Sequence, residues 1–194
     1  MTQLKIAGIA GAALGLASMA SASVTPNTYE IRVSNPVSPS NPSTTVEVYA
    51  DWDSDLFYAF AAAEWSLRGD MTGDFSGPAS AFGDPGQENG TPMDGDVLDI
   101  VTGQLQFPPG GLMADTSDPV LIWSATWSTT DFTARTVDLA TETDRYSLYV
   151  DETGLSEDVT TTVLEGAGQI EVIPAPASLA LVGLGGLVAA RRRR

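Results

Sequence analysis

The longest apolar runs of this 194-residue chain lie at its two ends, and they divide it into three parts. Residues 1–22 and 173–194 are rich in Ala, Leu and Gly, whereas residues 23–172 are rich in Thr, Ser, Asp and Gly. About 150 residues are enough to bury a hydrophobic core, so the central part is expected to fold as one domain. The two ends need a different explanation.

Residues 1–22 have the features of a secretory signal peptide. Lys5 supplies a positive charge ahead of the 12-residue apolar stretch Ile6–Ala17, and signal peptides carry such a stretch of about 7–15 residues. Ala20 and Ala22 form an A-x-A pattern, which predicts cleavage after Ala22. A permanent span needs about 20 apolar residues, so the sequence favours export with cleavage, and an uncleaved anchor is the alternative.

Charge is concentrated in the central part. All 25 acidic residues lie there, together with four of the basic ones, Arg32, Arg68, Arg135 and Arg145, which leaves a net charge of about −21. This charge repels phosphate backbones and excludes a nucleic-acid partner. It predicts a solvated acidic surface suited to a salty medium, where screening over about 8–10 Å weakens self-repulsion. Specific binding of divalent cations is the alternative.

The sequence contains neither Cys nor His. Disulfides, thiol catalysis, Cys/His zinc sites and histidine general-base chemistry are therefore excluded. The central domain has to depend on its hydrophobic core for stability.

Short runs that alternate apolar and polar residues predict β-strands in the central part. We place them at residues 28–33, 44–50, 56–67, 97–107, 120–128, 132–139, 146–150 and 159–172. A short helix at the alanine triplet Ala61–Ala63 is the alternative within 56–67. Residues 35–43 are expected to form a Pro/Ser/Asn loop, and residues 69–95 a long functional or partly mobile loop. About eight strands separated by turns predict a mostly β fold, an antiparallel β-sandwich, flanked by an N-terminal signal helix and a short C-terminal transmembrane helix.

Two of these runs indicate which residues face the core. Because successive side chains of a strand point to opposite faces, two sets are each expected to share one face: Val46, Val48 and Ala50, and Leu121, Trp123, Ala125 and Trp127. The four tryptophans, which include Trp52 and Trp65, are expected to be core residues. A platform on which sugars stack is the alternative for them.

Asp51, Asp53 and Asp55 form the sharpest local pattern that could bind a ligand. Alternate aspartates can direct their oxygens at Ca²⁺, but an EF-hand loop also needs Gly at its sixth and Glu at its twelfth position. Leu56 and Ala62 occupy those positions, so this is not an EF-hand. The alternative, also for a second acidic turn at Asp94, Asp96 and Asp99, is that aspartate ends strands and caps turns. No other cofactor is expected.

Pairs of carboxylates could hydrolyse glycosides if they lay about 5–10 Å apart in a cleft. Glu64 with Asp70 and Glu47 with Asp51 are such pairs by spacing alone, and 25 acids make such spacings common. No phosphate-binding loop or serine-hydrolase motif occurs in the sequence. We therefore predict no catalytic residues and a protein that is not an enzyme.

The C-terminal part has three consecutive features: a proline motif at Pro174, Ala175 and Pro176, an apolar run over 179–190, and four arginines, Arg191, Arg192, Arg193 and Arg194. The prolines interrupt any preceding strand, and the arginine cluster stays on the cytoplasmic side of a membrane. Ser178–Ala190 has 13 residues, which gives a helix of about 20 Å, shorter than the hydrocarbon core of about 30 Å. A marginal, transient anchor is predicted, and a simple tail anchor or amphipathic end is the alternative.

These residues resemble the PEP-CTERM sorting signal of exported Gram-negative proteins, with Ala175 in place of the central glutamate. The resemblance implies that Pro174, Pro176 and the arginines are recognised by an exosortase-type membrane enzyme that removes the tail. It also implies export through the inner membrane to the cell surface or the extracellular matrix, with extracellular polysaccharide as a further partner.

A second resemblance concerns the central domain. The pattern V-E-V-Y-A at 46–50, followed by F-Y-A-F-A-A-A-E-W-S-L at 57–67, is similar to the cohesin-like or carbohydrate-module-like sandwiches attached to such tails. We expect a non-enzymatic surface or matrix protein, and the alternative is a carbohydrate- or Ca²⁺-dependent binding module.

Overall fold

The computed structural model describes residues 26–83, 86–106 and 113–175. Within them the chain forms a 3₁₀ turn, Thr160–Thr162, and ten β-strands. The strands are β1 (Thr28–Val33), β2 (Ser43–Asp51), β3 (Ala59–Arg68), β4 (Asp74–Ser80), β5 (Glu88–Met93), β6 (Asp96–Gly103), β7 (Val120–Ser128), β8 (Arg135–Tyr149), β9 (Ser156–Asp158) and β10 (Ala167–Val172). The predicted signal helix and transmembrane helix lie outside the described residues.

The strands form two antiparallel sheets. The smaller sheet has the order β1-β2-β7-β4, and the larger has the order β10-β8-β3-β6-β5, with β9 paired to the second half of β8. Val46, Val48 and Ala50 all face the core, as predicted. The prediction of a mostly β, antiparallel sandwich is confirmed.

One loop prediction and two strand predictions are wrong in detail. Residues 69–95 are not one long loop, because they contain β4 and β5. The predicted strands 132–139 and 146–150 belong to the single strand β8. The predicted strand 159–172 contains the 3₁₀ turn and β10, and β9 precedes it. The alanine triplet lies within β3 and is not helical.

A bulge explains why alternation divides β8 into two predicted strands, since one extra residue moves the following side chains to the opposite face. In β8, Thr143 and Arg145 pair with the adjacent residues Trp65 and Glu64, so Asp144 is the extra residue. Val137 and Leu139 therefore face the core before the bulge, and Tyr146 and Leu148 after it.

A second bulge corrects the predicted face of β7. Trp123 and Leu121 pair with the adjacent residues Val48 and Tyr49, so Ile122 is the extra residue. Val120 consequently enters the core, and Leu121 is only partly buried although it was predicted to share a face with Trp123.

Aromatic side chains fill the space between the sheets. All four tryptophans are at most 1% exposed, so the prediction that they are core residues is confirmed. Tyr29 lies 5.5 Å from Trp65 and 5.2 Å from Tyr146, ring centroid to ring centroid. Burial of such rings supplies much of the hydrophobic stabilisation of a domain without disulfides.

The first described residues and the last strand end at opposite ends of the sandwich. We define the upper end by the connection 52–58 between β2 and β3. The described chain starts there at Pro26, and the Asn27 carbonyl accepts a hydrogen bond from the backbone N–H of Leu164. At the lower end, defined by the connection 69–73, Val172 pairs with Arg135, whose guanidinium contacts Thr72. The residues that follow Val172 therefore leave from the end opposite to Pro26.

Candidate binding surface

The outward face of the larger sheet is the candidate site. One row of directly paired residues crosses β8, β3, β6 and β5 in the order Arg145, Glu64, Val101 and Glu88. The adjacent row consists of Ser147, Ala62 and Gly103.

A shallow hollow of about 260 Å³ lies on this face. Small and apolar side chains line its floor and rim, including Ala61, Ala62, Val101 and Leu105. Gln87, Gln104 and Arg145 supply polar groups around them. An apolar floor with a polar rim is typical of a surface patch that binds another molecule.

Buried hydrogen bonds fix the upper rim of the hollow. The Tyr149 hydroxyl donates to the Gln104 carbonyl at 2.7 Å, and Gln104 Nε2 donates to the Phe60 carbonyl at 2.7 Å. Gln104 Oε1 accepts the backbone N–H of Asp115 at 2.8 Å. The segment after β6 is thus held against β3 and β8, so this part of the hollow is preformed.

Arg145 stands at the rim with a guanidinium that is only loosely paired. Its nitrogens lie 3.9 Å from Glu64 Oε1 and 4.0 Å from Asp158 Oδ2, beyond hydrogen-bond distance. Its side chain is 57% exposed. The guanidinium can therefore donate hydrogen bonds to a partner without breaking strong bonds.

The outward face of the smaller sheet has a different character. Thr45, Thr126 and Ser76 are paired in one row across β2, β7 and β4. Arg32 lies beside them on β1, where it bonds Glu30 at 2.8 Å and stacks 4.0 Å above the Tyr49 ring. This face is polar, and its arginine is already paired.

The structure does not bring Asp51, Asp53 and Asp55 together into a metal site, and no cluster of three acidic groups suited to a metal ion occurs among the described residues. The Asp53 carboxylate accepts the Asp55 backbone N–H at 3.1 Å. Asp51 instead lies beside Asp118, and burial followed by the proximity of this second carboxyl raises the pKa of the Asp51 carboxyl.

Capping of turns is the observed role of many aspartates. Each of six accepts the backbone N–H two residues later: Asp53, Asp70, Asp115, Asp131, Asp151 and Asp158. Asp94 adopts φ 52° in the turn that joins β5 to β6, Asp96 pairs with Arg68, and Asp99 adopts φ 58° within β6. Asp53 thus caps a turn, as that alternative predicts, whereas Asp96 binds Arg68.

The carboxylate pairs that spacing suggested have other neighbours in the structure. Glu64 faces Arg145, Asp70 caps the 69–73 turn, and Glu47 accepts a hydrogen bond from the Tyr49 hydroxyl at 3.1 Å. Burial of the four tryptophans leaves none of them available as a platform for sugars.

The residues of the predicted sorting and cleavage motifs lie mostly beyond the described part of the chain. Pro174 and Ala175 are exposed and follow β10 without regular structure. Pro176, the four arginines, Ala20 and Ala22 lie outside the described residues. No helix among the described residues is long and apolar enough to cross a membrane.

No family model and no curated protein matches this sequence. Among solved structures, a cohesin module from a Clostridium perfringens family 33 glycoside hydrolase is similar, with a TM-score of 0.52 and 10% identity over 78% of this chain and 100% of that chain. The sixth cohesin of Acetivibrio cellulolyticus scaffoldin B, solved in complex with a dockerin, has a TM-score of 0.47 and 14% identity over 75% of this chain and 97% of that chain. The first likeness shows that the central domain has a cohesin-like sandwich fold.

Sequence reasoning did not identify the outward face of the larger sheet. Glu64 and Arg145 are separated by 80 positions and become neighbours only through the register of β3 and β8. The bulge at Asp144 hides that register from any regular alternation.

Proposed function

We propose that this chain is a non-enzymatic exported protein of the cell surface or extracellular matrix, sorted through its PEP-CTERM-like tail, whose sandwich binds a protein partner. The partner binds the outward face of the larger sheet. The observation that carries the proposal is the preformed hollow on that face, in a domain with the fold of a cohesin module.

The arrangement of the two ends supports this role. Val172 lies at the lower end, so a tail that inserts into the inner membrane would leave the sandwich from that end. The strands of the larger sheet run between the two ends, and their outward face then stands clear of the membrane. An exosortase-type enzyme would cut the tail at the lower end without disturbing the hollow.

The alternative, a carbohydrate- or Ca²⁺-dependent module, has less support in the described residues. The tryptophans that could stack on sugars are buried, and Asp51, Asp53 and Asp55 are not clustered. Calorimetric titration of the full-length chain with calcium tests the metal form. No heat at millimolar calcium is the expected result.

Intact-mass measurement of protein released from the cell surface tests the sorting part of the proposal. The expected mass corresponds to a chain that begins at Ser23 and has lost Arg191 to Arg194. A released protein that retains all four arginines would contradict exosortase-type processing.

Site-specific photo-crosslinking at the cell surface tests the binding part. A photoreactive residue at Val101, in the hollow, is expected to yield one crosslinked protein band. The same residue at Thr126, on the outward face of the smaller sheet, is the matched control and should yield none. Equal crosslinking from both positions, or none from Val101, would reject this face as the binding surface.

A further inference from the structure

A second surface lies at the upper end, on the connection between β2 and β3. Leu56 is 58% exposed there and lies between two hollows, to both of which it contributes together with Phe57. We call this surface the Leu56 ridge. The first hollow, of about 380 Å³, is also lined by Pro26, Val159 and two carboxylates, Asp53 and Glu157.

The second hollow, of about 330 Å³, lies on the other side of the ridge. Tyr58 and Val150 contribute apolar surface to it, and Asp55, Asp151 and Glu152 contribute carboxylates. Each hollow therefore combines apolar walls with acidic groups.

The ridge is rigid because its backbone is hydrogen-bonded within and beyond the turn. The N–H groups of Leu56 and Phe57 donate to the Asp53 carbonyl at 2.9 and 3.0 Å, and Tyr58 N–H donates to the Tyr149 carbonyl at 2.7 Å. A preformed surface loses less conformational entropy when it binds a partner.

The acids of the ridge have no cationic neighbours within residues 26–83, 86–106 and 113–175. None of the described residues that line the two hollows is basic. None of the five carboxylates takes part in an ion pair among the described residues, whereas all four arginines of this part are paired with other acids. The chain's only lysine, Lys5, lies in the predicted signal peptide. The described part of the chain therefore supplies no cation that neutralises the ridge.

We propose that the Leu56 ridge binds a segment of a partner protein in which a lysine is flanked by aliphatic residues. The lysine ammonium has three donors and no acceptor, and Asp53 and Glu157 offer it carboxylates in the first hollow. Asn27 also lines this hollow, and its buried Oδ1 has no hydrogen-bond partner among the described residues.

The apolar part of the ridge selects what flanks the lysine. The lysine stem packs along Leu56 and Phe57, since such stems bury their methylenes while the charge stays near water. A neighbouring aliphatic side chain of the partner then enters the second hollow beside Tyr58 and Val150. The site is separate from the hollow on the larger sheet, and it lies at the end opposite to the tail.

Nuclear magnetic resonance titration of the full-length chain tests the proposal with a capped peptide containing Leu-Lys-Leu. The matched control peptide has norleucine in place of lysine, which keeps the stem and removes the charge. The lysine peptide is expected to shift the amide signals of residues 53–58 and the side-chain amide of Asn27. The norleucine peptide is expected to bind about fivefold more weakly, as for loss of an exposed ion pair.

Variants of the protein separate the apolar from the charged contribution. Leu56→Ser is expected to weaken lysine-peptide binding about tenfold, because a leucine contact surface is lost. Met71→Ser removes a residue that is 82% exposed at the lower end and should change nothing. Asp53→Asn with Glu157→Gln is expected to weaken binding about fivefold, and Glu171→Gln, at an exposed position of β10, should leave it unchanged.

Four results would overturn the proposal. The first is equal binding of the two peptides, and the second is signal shifts confined to the face of the larger sheet. The third is binding that appears only after the residues before Pro26 are removed, since the chain's own N-terminal segment would then be the occupant. Self-association that shifts the same signals without any peptide would assign the ridge to a second copy of the chain and also contradict the proposal.

Discussion

The hydroxyl of Tyr149, near the end of β8, donates a buried hydrogen bond of 2.7 Å to the carbonyl of Gln104, just after β6. The strands β8 and β6 are not adjacent in the larger sheet, since β3 lies between them. This bond therefore holds the segment after β6 across the outward face and shapes the rim of the hollow.

Tyr149→Phe is expected to destabilise the protein by about 1–3 kcal/mol, because it leaves the buried Gln104 carbonyl unpaired. Thermal unfolding measures this as a fall in Tm of about 2–4 °C per kcal/mol for a chain of this size. Tyr49→Phe is the control, since its hydroxyl bonds the less buried Glu47, and it should change stability by less than about 0.5 kcal/mol. Equal effects of the two variants would mean that the Gln104 bond has no special role.

Gly73 lies at the lower end against the indole of Trp127. A Cβ at this position would overlap Trp127 Cζ2 and would lie 2.7 Å from the Ser128 carbonyl oxygen. Gly73→Ala is therefore expected to cost about 1–3 kcal/mol through overpacking, and chemical unfolding of the full-length chain measures it.

Gly83→Ala provides the comparison for Gly73→Ala. A Cβ at Gly83 has no atom of the described residues within 4 Å, so this variant should stay within about 0.5 kcal/mol of the parent. If Gly73→Ala were as mild as Gly83→Ala, the close packing of the β3–β4 connection on Trp127 would be contradicted.

These positions show how far the sequence alone can predict the fold. Alternation places Val46, Val48 and Ala50 correctly because β2 contains no extra residue along these positions. It fails for Leu121 and for the continuity of β8, where bulges at Ile122 and Asp144 reverse the inward face. A bulge depends on the partner strand, so a single run of residues does not reveal it.

The candidate surfaces were harder to predict than the core. A buried strand face requires apolar residues at regular positions along the sequence. Ala62, Glu64 and Val101 lie together on an exposed face, where no such pattern is required. Leu56 was assigned to a predicted strand, 56–67, whereas β3 begins only at Ala59. Its exposure follows from the turn that Asp53 caps, and the sequence hints at this turn only through its alternate aspartates.

The contact between Asp51 and Asp118 predicts a dependence of stability on pH. Burial and the neighbouring Asp118 raise the pKa of the Asp51 carboxyl above that of the unfolded chain. The folded state therefore binds this proton more tightly than the unfolded chain does. The resulting stabilisation of the folded state is complete below the unfolded pKa of about 3.9. It is lost as the pH rises through the higher pKa of the folded state. Asp51→Asn should make the protein more stable than the parent at pH 7, with the difference shrinking towards pH 3.

Asp131→Asn should change the stability at pH 7 in the opposite direction, which makes the protein less stable than the parent. Hydrogen bonds from the backbone N–H and hydroxyl of Thr133 lower the pKa of the Asp131 carboxyl, so its stabilisation is present at neutral pH and is lost as the pH falls through the lowered value. Denaturant unfolding at a series of pH values between 3 and 7 compares both variants with the parent protein. A parallel shift of both variants at every pH would show that neither carboxyl titrates differently in the folded and unfolded chains. Loss of stability at pH 7 in Asp51→Asn would contradict the destabilising contact between the Asp51 and Asp118 carboxylates.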